Sequence, residues 1–137
     1  MIPRYKRPDK KDALSIINAA KRDMEYTLSL EVNEKSGAII IKNIYECFRM
    51  LGDALLVSKG IESQDHLAPI NELLNIKVNT TRPIGSIGNL RILRHNINYY
   101  GYFPKIEEVL DVVSLAKVCF KPLIEAVKQE IEKSQKK

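Results

Sequence analysis

The sequence predicts an all-α protein, an antiparallel four-helix up-and-down bundle with one additional short helix. Three observations lead there. Apolar residues recur at alternating steps of three and four along five segments, the period of a helix that buries one side. Capping and breaking residues fall between those segments. Strand signals are thin: only AIII at Ala38–Ile41 and IKVNTT at Ile76–Thr81 could be argued, and the first fits better inside a helix.

The first helix is expected to start near Asp9 or Asp12, whose carboxylates can accept from free helix-start N–H groups, just after Pro8. Leu14, Ile17, Met24 and Leu28 mark its buried stripe, and it should run to about Glu31. After a connector at Val32–Lys35, Ser36 and Gly37 open the second helix. Its seam is Ile41, Ile44, Phe48, Leu51 and Leu55. Gly52 inside it costs about 1 kcal/mol against alanine and points to a neighbour packed closely there. Gly60 should end the helix in the left-handed conformation.

Ser63, Gln64 and Asp65 begin a shorter third helix carrying His66, Leu67, Ile70, Leu73 and Leu74. Pro69 falls early in it, where a missing N–H does little harm. Asn75–Ser86 is expected to be irregular. The fourth helix covers about Ile87–Tyr100, stopped by Gly101 and Pro104. The last begins near Pro104 or Lys105, with Glu107 and Glu108 favoured by the helix dipole. Its stripe is Val109, Val113, Ala116, Phe120, Leu123, Val127 and Ile131, and Pro122 within it should cause a kink.

The 137 residues suit one domain, 1–137, large enough to bury its own core. Hydrophobic residues at 45% and charged ones at 28% exclude a disordered chain. No apolar run reaches membrane-spanning length, and no apolar leader follows the first methionine, so a cytoplasmic location away from membranes is expected. Cys47 and Cys119 sit in apolar stretches and read as buried thiols. Two cysteines alone make no metal site, and neither a metal nor a cofactor is expected. The net charge of +5 favours acidic partners. Much of it sits in a basic arm at about 1–8 and a tail at about 133–137, both expected to be solvated.

The fourth helix is the unusual one. LRILRHNINYYGY, Leu90 to Tyr102, carries rings, amides and guanidinium groups where cheaper helix formers would serve. At about 100° per residue, Leu90, Leu93, Ile97 and Tyr100 fall on the core side. Arg91, His95, Asn98 and, if the helix extends so far, Tyr102 fall opposite, with Arg94 and Tyr99 at the edges. Ile92 and Tyr99 form a small apolar strip suited to a second subunit. Guanidinium groups bind phosphate, imidazole moves protons near neutrality, and tyrosine rings stack on bases. The set fits a nucleotide or an RNA phosphodiester.

Two segments carry a family resemblance covering about Asp9 to Glu132. YECFRMLGDALLVSKGIESQDHLAPINELL, Tyr45 to Leu74, resembles the second helix, glycine turn and Ser-x-x-His opening of the third helix in HEPN (higher eukaryotes and prokaryotes nucleotide-binding) domains. LRILRHNINYYGY resembles that family's signature helix, with its Arg, His and Tyr. The resemblance implies a helical bundle, a homodimer and RNA or nucleotide binding. It also implies a toxin or defence role, or pairing with a small nucleotidyltransferase. As a metal-independent endoribonuclease, the chain would use Arg94 and His95 as catalytic residues. Arg91, Asn96, Asn98, Tyr99 and Tyr102 would bind nucleotide or RNA. The family places its histidine four to six residues after the arginine; here Tyr99 stands there and His95 follows Arg94 directly. The site is therefore atypical, and an interaction module that has lost ribonuclease activity stays open beside the enzyme. His66 reads either as a structural histidine at a helix start or as a partner of Arg94.

Overall fold

The computed structural model describes residues 4–62, 65 and 67–135. The protein is all-α: five helices account for nearly all regular structure among the described residues. They are α1 (Lys10–Leu28), α2 (Gly37–Ser58), α3 (Leu67–Leu74), α4 (Ser86–Tyr100) and α5 (Ile106–Gln135).

Asp9, extended at φ −137°, caps α1 by accepting from the Asp12 amide at 2.9 Å. The helix stops at Leu28, earlier than Glu31. Beyond it, the Ser36 hydroxyl donates to the Glu31 carbonyl at 2.6 Å, and the Asn33 side chain accepts from the Lys35 and Ser36 amides. These bonds give the connector its own turn, which competes with further helix.

α2 is the central element and packs against α1, α3, α4 and α5. Thirteen of its 22 residues are buried, so it faces protein on most sides. The expected seam of Ile41, Ile44, Phe48, Leu51 and Leu55 is buried throughout. Phe48 meets Phe120 of α5 edge-on, centroids 5.8 Å apart. Gly52 lies against α3 so closely that a Cβ there would sit 1.9 Å from the Pro69 carbonyl oxygen. In α1 the buried line is Ala13, Ile17, Ala20, Met24 and Thr27, while Leu14 and Leu28 pack half-buried at its side. In α5, Val112, Leu115 and Ile124 are also buried and Val113 only partly so. α5 continues as one helix through Pro122.

The irregular stretch before α4 is anchored. Arg82 pairs with the Asp111 carboxylate at 3.1 Å and donates to the Asp111 carbonyl at 2.9 Å. Ile76, Val78 and Ile84 pack against the core.

Two short strands, β1 (Arg4–Tyr5) and β2 (Ile61–Glu62), pair antiparallel and were not expected. The Lys6 amide donates to the Gly60 carbonyl, and the Asp9 amide to Val57 at 3.2 Å. Gly60 has φ +75°, as expected for a helix stop, and a Cβ there would strike the Lys6 carbonyl at 2.1 Å. The basic arm is thus no free tail over residues 4–8: its backbone is tied to the end of α2. Lys136 and Lys137 lie outside the described residues.

No helix among the described residues is long and apolar enough to cross a membrane. Cys47 and Cys119 are buried free thiols. Burial, with the Asp23 and Glu46 carboxylates adding, pushes the Cys47 thiol up to about 12. Its thiolate population at neutral pH is then roughly a thousandfold below that of an ordinary cysteine. Native protein should alkylate at Cys47 orders of magnitude more slowly than urea-unfolded protein, as followed by mass spectrometry. Equal rates would mean an open thiol.

Candidate functional site

The site forms where α4 crosses α2 near the start of α3. α4 ends as expected: Gly101 takes φ +62° and its N–H donates to the Asn96 carbonyl, as does the Tyr102 N–H at 3.1 Å. The inward face of α4 is Ile87, Leu90 and Ile97. Ile87 shifts the centre of that face toward Arg94 and away from Tyr100. Two expectations change accordingly. Tyr100 is 76% exposed rather than in the core. Arg94 is half-buried on the inner side, with its guanidinium carbon 5.3 Å from the centroid of the Tyr45 ring, a cation–π contact.

Tyr45, Asp65, Leu67, Arg91, Arg94, His95 and Tyr99 line a cleft of about 270 Å³. His95 stacks obliquely on Tyr99 at 4.7 Å between centroids and meets Tyr100 edge-on at 5.8 Å. Asp65 is occupied by its own helix start: Oδ1 accepts from the Leu67 and Ala68 amides at 3.1 and 2.8 Å. Helix α3 therefore opens at Leu67, with Asp65 as its cap, while Ser63, Gln64 and His66 lie outside the described residues.

The arginines of the cleft differ from Arg49 of α2 in their partners. Arg49, one turn along α2 from Tyr45, is bound by Glu46 and Asp53. Those partners hold it more firmly protonated than usual, the Glu46 hydrogen bond foremost. Arg91 and Arg94 have no carboxylate partner among the described residues. Two guanidinium groups beside one occupied carboxylate leave the cleft basic. The Tyr45 phenol is raised by burial, a push opposed by Arg94, Arg91 and Arg49, and so stays protonated at neutral pH.

Of the residues expected at the site, Arg91, Arg94, His95 and Tyr99 come together. Asn96, Asn98 and Tyr102 do not line the cleft. Asn96 contributes its carbonyl to the helix stop. Asn98 is exposed. Tyr102 lies past the end of α4, and its hydroxyl donates to Glu108 in the first turn of α5. The same Glu108 oxygen accepts from the Lys105 amide at 2.9 Å, and the two bonds hold its carboxyl below the usual range.

Tyr45, Asp65 and Leu67 complete the cleft and were not anticipated. One signal for Tyr45 was present: a phenol at seam spacing between Ile41 and Phe48 carries a hydroxyl into an apolar helix face. No group of three or more metal-ligating side chains occurs among the described residues. Compared with protein-family models, curated proteins and solved structures, the chain matches none.

Proposed function

We propose that this chain is a HEPN-type domain that holds the phosphate of RNA or of a nucleotide in the α2–α4 cleft. In this reading α1, α2, α4 and α5 form an antiparallel up-and-down bundle, α3 is the added short helix, and the working unit is a cytoplasmic homodimer. Its setting is that of a toxin or defence protein, or of a partner to a nucleotidyltransferase.

The observation that carries the reading is the convergence of Arg91 and Arg94, without carboxylate partners among the described residues, beside His95 and Tyr99 in one open cleft. Guanidinium groups left unpaired this way suit the two non-bridging oxygens of a phosphodiester. The His95 and Tyr99 rings offer stacking surfaces for a base. In cleavage the ribose 2′-hydroxyl would attack phosphorus as His95 takes its proton; the P–O5′ bond would break to leave a 2′,3′-cyclic phosphate, the departing 5′-oxygen would take a proton from water, and Arg94 would stabilise the developing charge.

A second reading, a non-catalytic interaction module, is favoured by the exposed apolar surface of Ile92, Tyr99, Tyr100 and Phe103 along and just beyond α4. RNA cleavage separates the two. Cleavage abolished by His95→Ala identifies the enzyme, whereas a wild type that neither binds nor cleaves RNA identifies the module.

Binding itself is tested by fluorescence anisotropy with short, labelled single-stranded RNA at low salt. The wild type should bind saturably, and Arg94→Ala should weaken binding about tenfold or more. No binding by the wild type, or equal binding by the variant, rejects the phosphate site.

A further inference from the structure

The Tyr45 hydroxyl is out of place as a structural group. Its residue is only 1% exposed, and the oxygen has no hydrogen-bond partner among the described residues. The other buried hydroxyls are satisfied: Thr27 donates to the Asp23 carbonyl at 2.8 Å and Ser58 to that of Leu55 at 2.7 Å. An orphaned buried hydroxyl costs stability, and phenylalanine would fill almost the same volume without that cost. The orphan is also not in a random part of the core. Its side chain lines the cleft, together with Arg91, Arg94 and His95.

We infer that the Tyr45 hydroxyl is the uncharged donor of the phosphate subsite, giving its hydrogen bond to a non-bridging oxygen of a phosphodiester gripped by Arg94. This rests on the phosphate reading of the cleft. In the free protein the hydroxyl is closed to water, so a ligand oxygen reaches it only when a lining side chain yields. Arg94 is the group able to do so. It is long, half-exposed, seated on the Tyr45 ring, and held by no carboxylate among the described residues. A phosphate drawing that guanidinium outward uncovers the phenol, and the two donors then take one oxygen each. The phenol stays protonated at neutral pH, as a donor must.

The experiment measures the melting midpoint and the salt dependence of affinity for labelled single-stranded RNA in the wild type, Tyr45→Phe and Arg94→Ala. Tyr45→Phe should melt at the same temperature or a few degrees higher, since it removes an unmet hydroxyl. It should bind about tenfold more weakly at every salt concentration, with an unchanged slope of log affinity against log salt, because a neutral donor displaces no counterion. Arg94→Ala should lower that slope by about 0.7. Wild-type affinity in Tyr45→Phe, with loss in Arg94→Ala, would overturn the role of Tyr45 and leave the phosphate site standing. A lowered melting midpoint in Tyr45→Phe would also overturn it, by showing that the hydroxyl serves the fold. An RNA-blind wild type would remove both.

Discussion

Gly52→Ala is expected to be strongly destabilising. The added Cβ would lie 1.9 Å from the Pro69 carbonyl oxygen, 2.5 Å from its carbon and 2.9 Å from its Cα. All three atoms are backbone, so no side chain can rotate away. α2 cannot retreat, because α1, α4 and α5 press on it as well. α3 must move instead, and buried Ile70 and Leu73 must move with it. Alanine gains about 1 kcal/mol of helix propensity over glycine. Overpacking of this kind costs about 1–3 kcal/mol or more, and the lost α3 contacts add to it. A net loss of about 2–3 kcal/mol should lower the melting midpoint by roughly 10 °C. Gly88→Ala is the built-in control: its Cβ would meet only the Leu74 Cδ1 atom at 3.8 Å, an ordinary contact. That variant should hold or gain stability. Equal midpoints for the two variants would mean that α3 yields freely.

The second large effect is expected from replacing Arg91 and Arg94 together by alanine. If each guanidinium neutralises one phosphate, the slope of log affinity against log salt should fall by about 1.4 for single-stranded RNA. Saturable binding at low salt should disappear, while circular dichroism stays helical, since neither side chain is fully buried. The paired lysine variants sharpen the test. They keep the charge but lose the planar fork, so they should recover the slope and not the affinity. Full recovery of affinity by lysine would point to simple charge attraction and away from a shaped phosphate site.

Local chemistry made much of the fold legible. The α2 seam, the Asp9 cap, the Gly60 and Gly101 stops and the tight contact at Gly52 all follow from residue type and spacing. What stayed hidden depends on residues distant in sequence. Pairing of residues 4–5 with 61–62 cannot be read from two dipeptides without periodicity. Nothing local marks Tyr45 as a site residue, and only the crossing of α4 over α2 sets it under Arg94. Tyr100 shows the opposite failure. Its step of three from Ile97 is helical, but the inward direction drifts when Ile87 is counted, and Tyr100 is exposed. Tyr102 could not belong to the face once Gly101 turned the chain.

The backbone bonds of residues 4–9 to residues 57–62 have a mechanical corollary. α1 and α2 are fastened at both ends, by the 29–36 connector at one and by this clasp at the other. The segment leaving the clasp leads within three residues to Asp65 and the α3 wall of the cleft. A spectroscopic label at Lys6 would report whether a displacement of that wall reaches the first described residues.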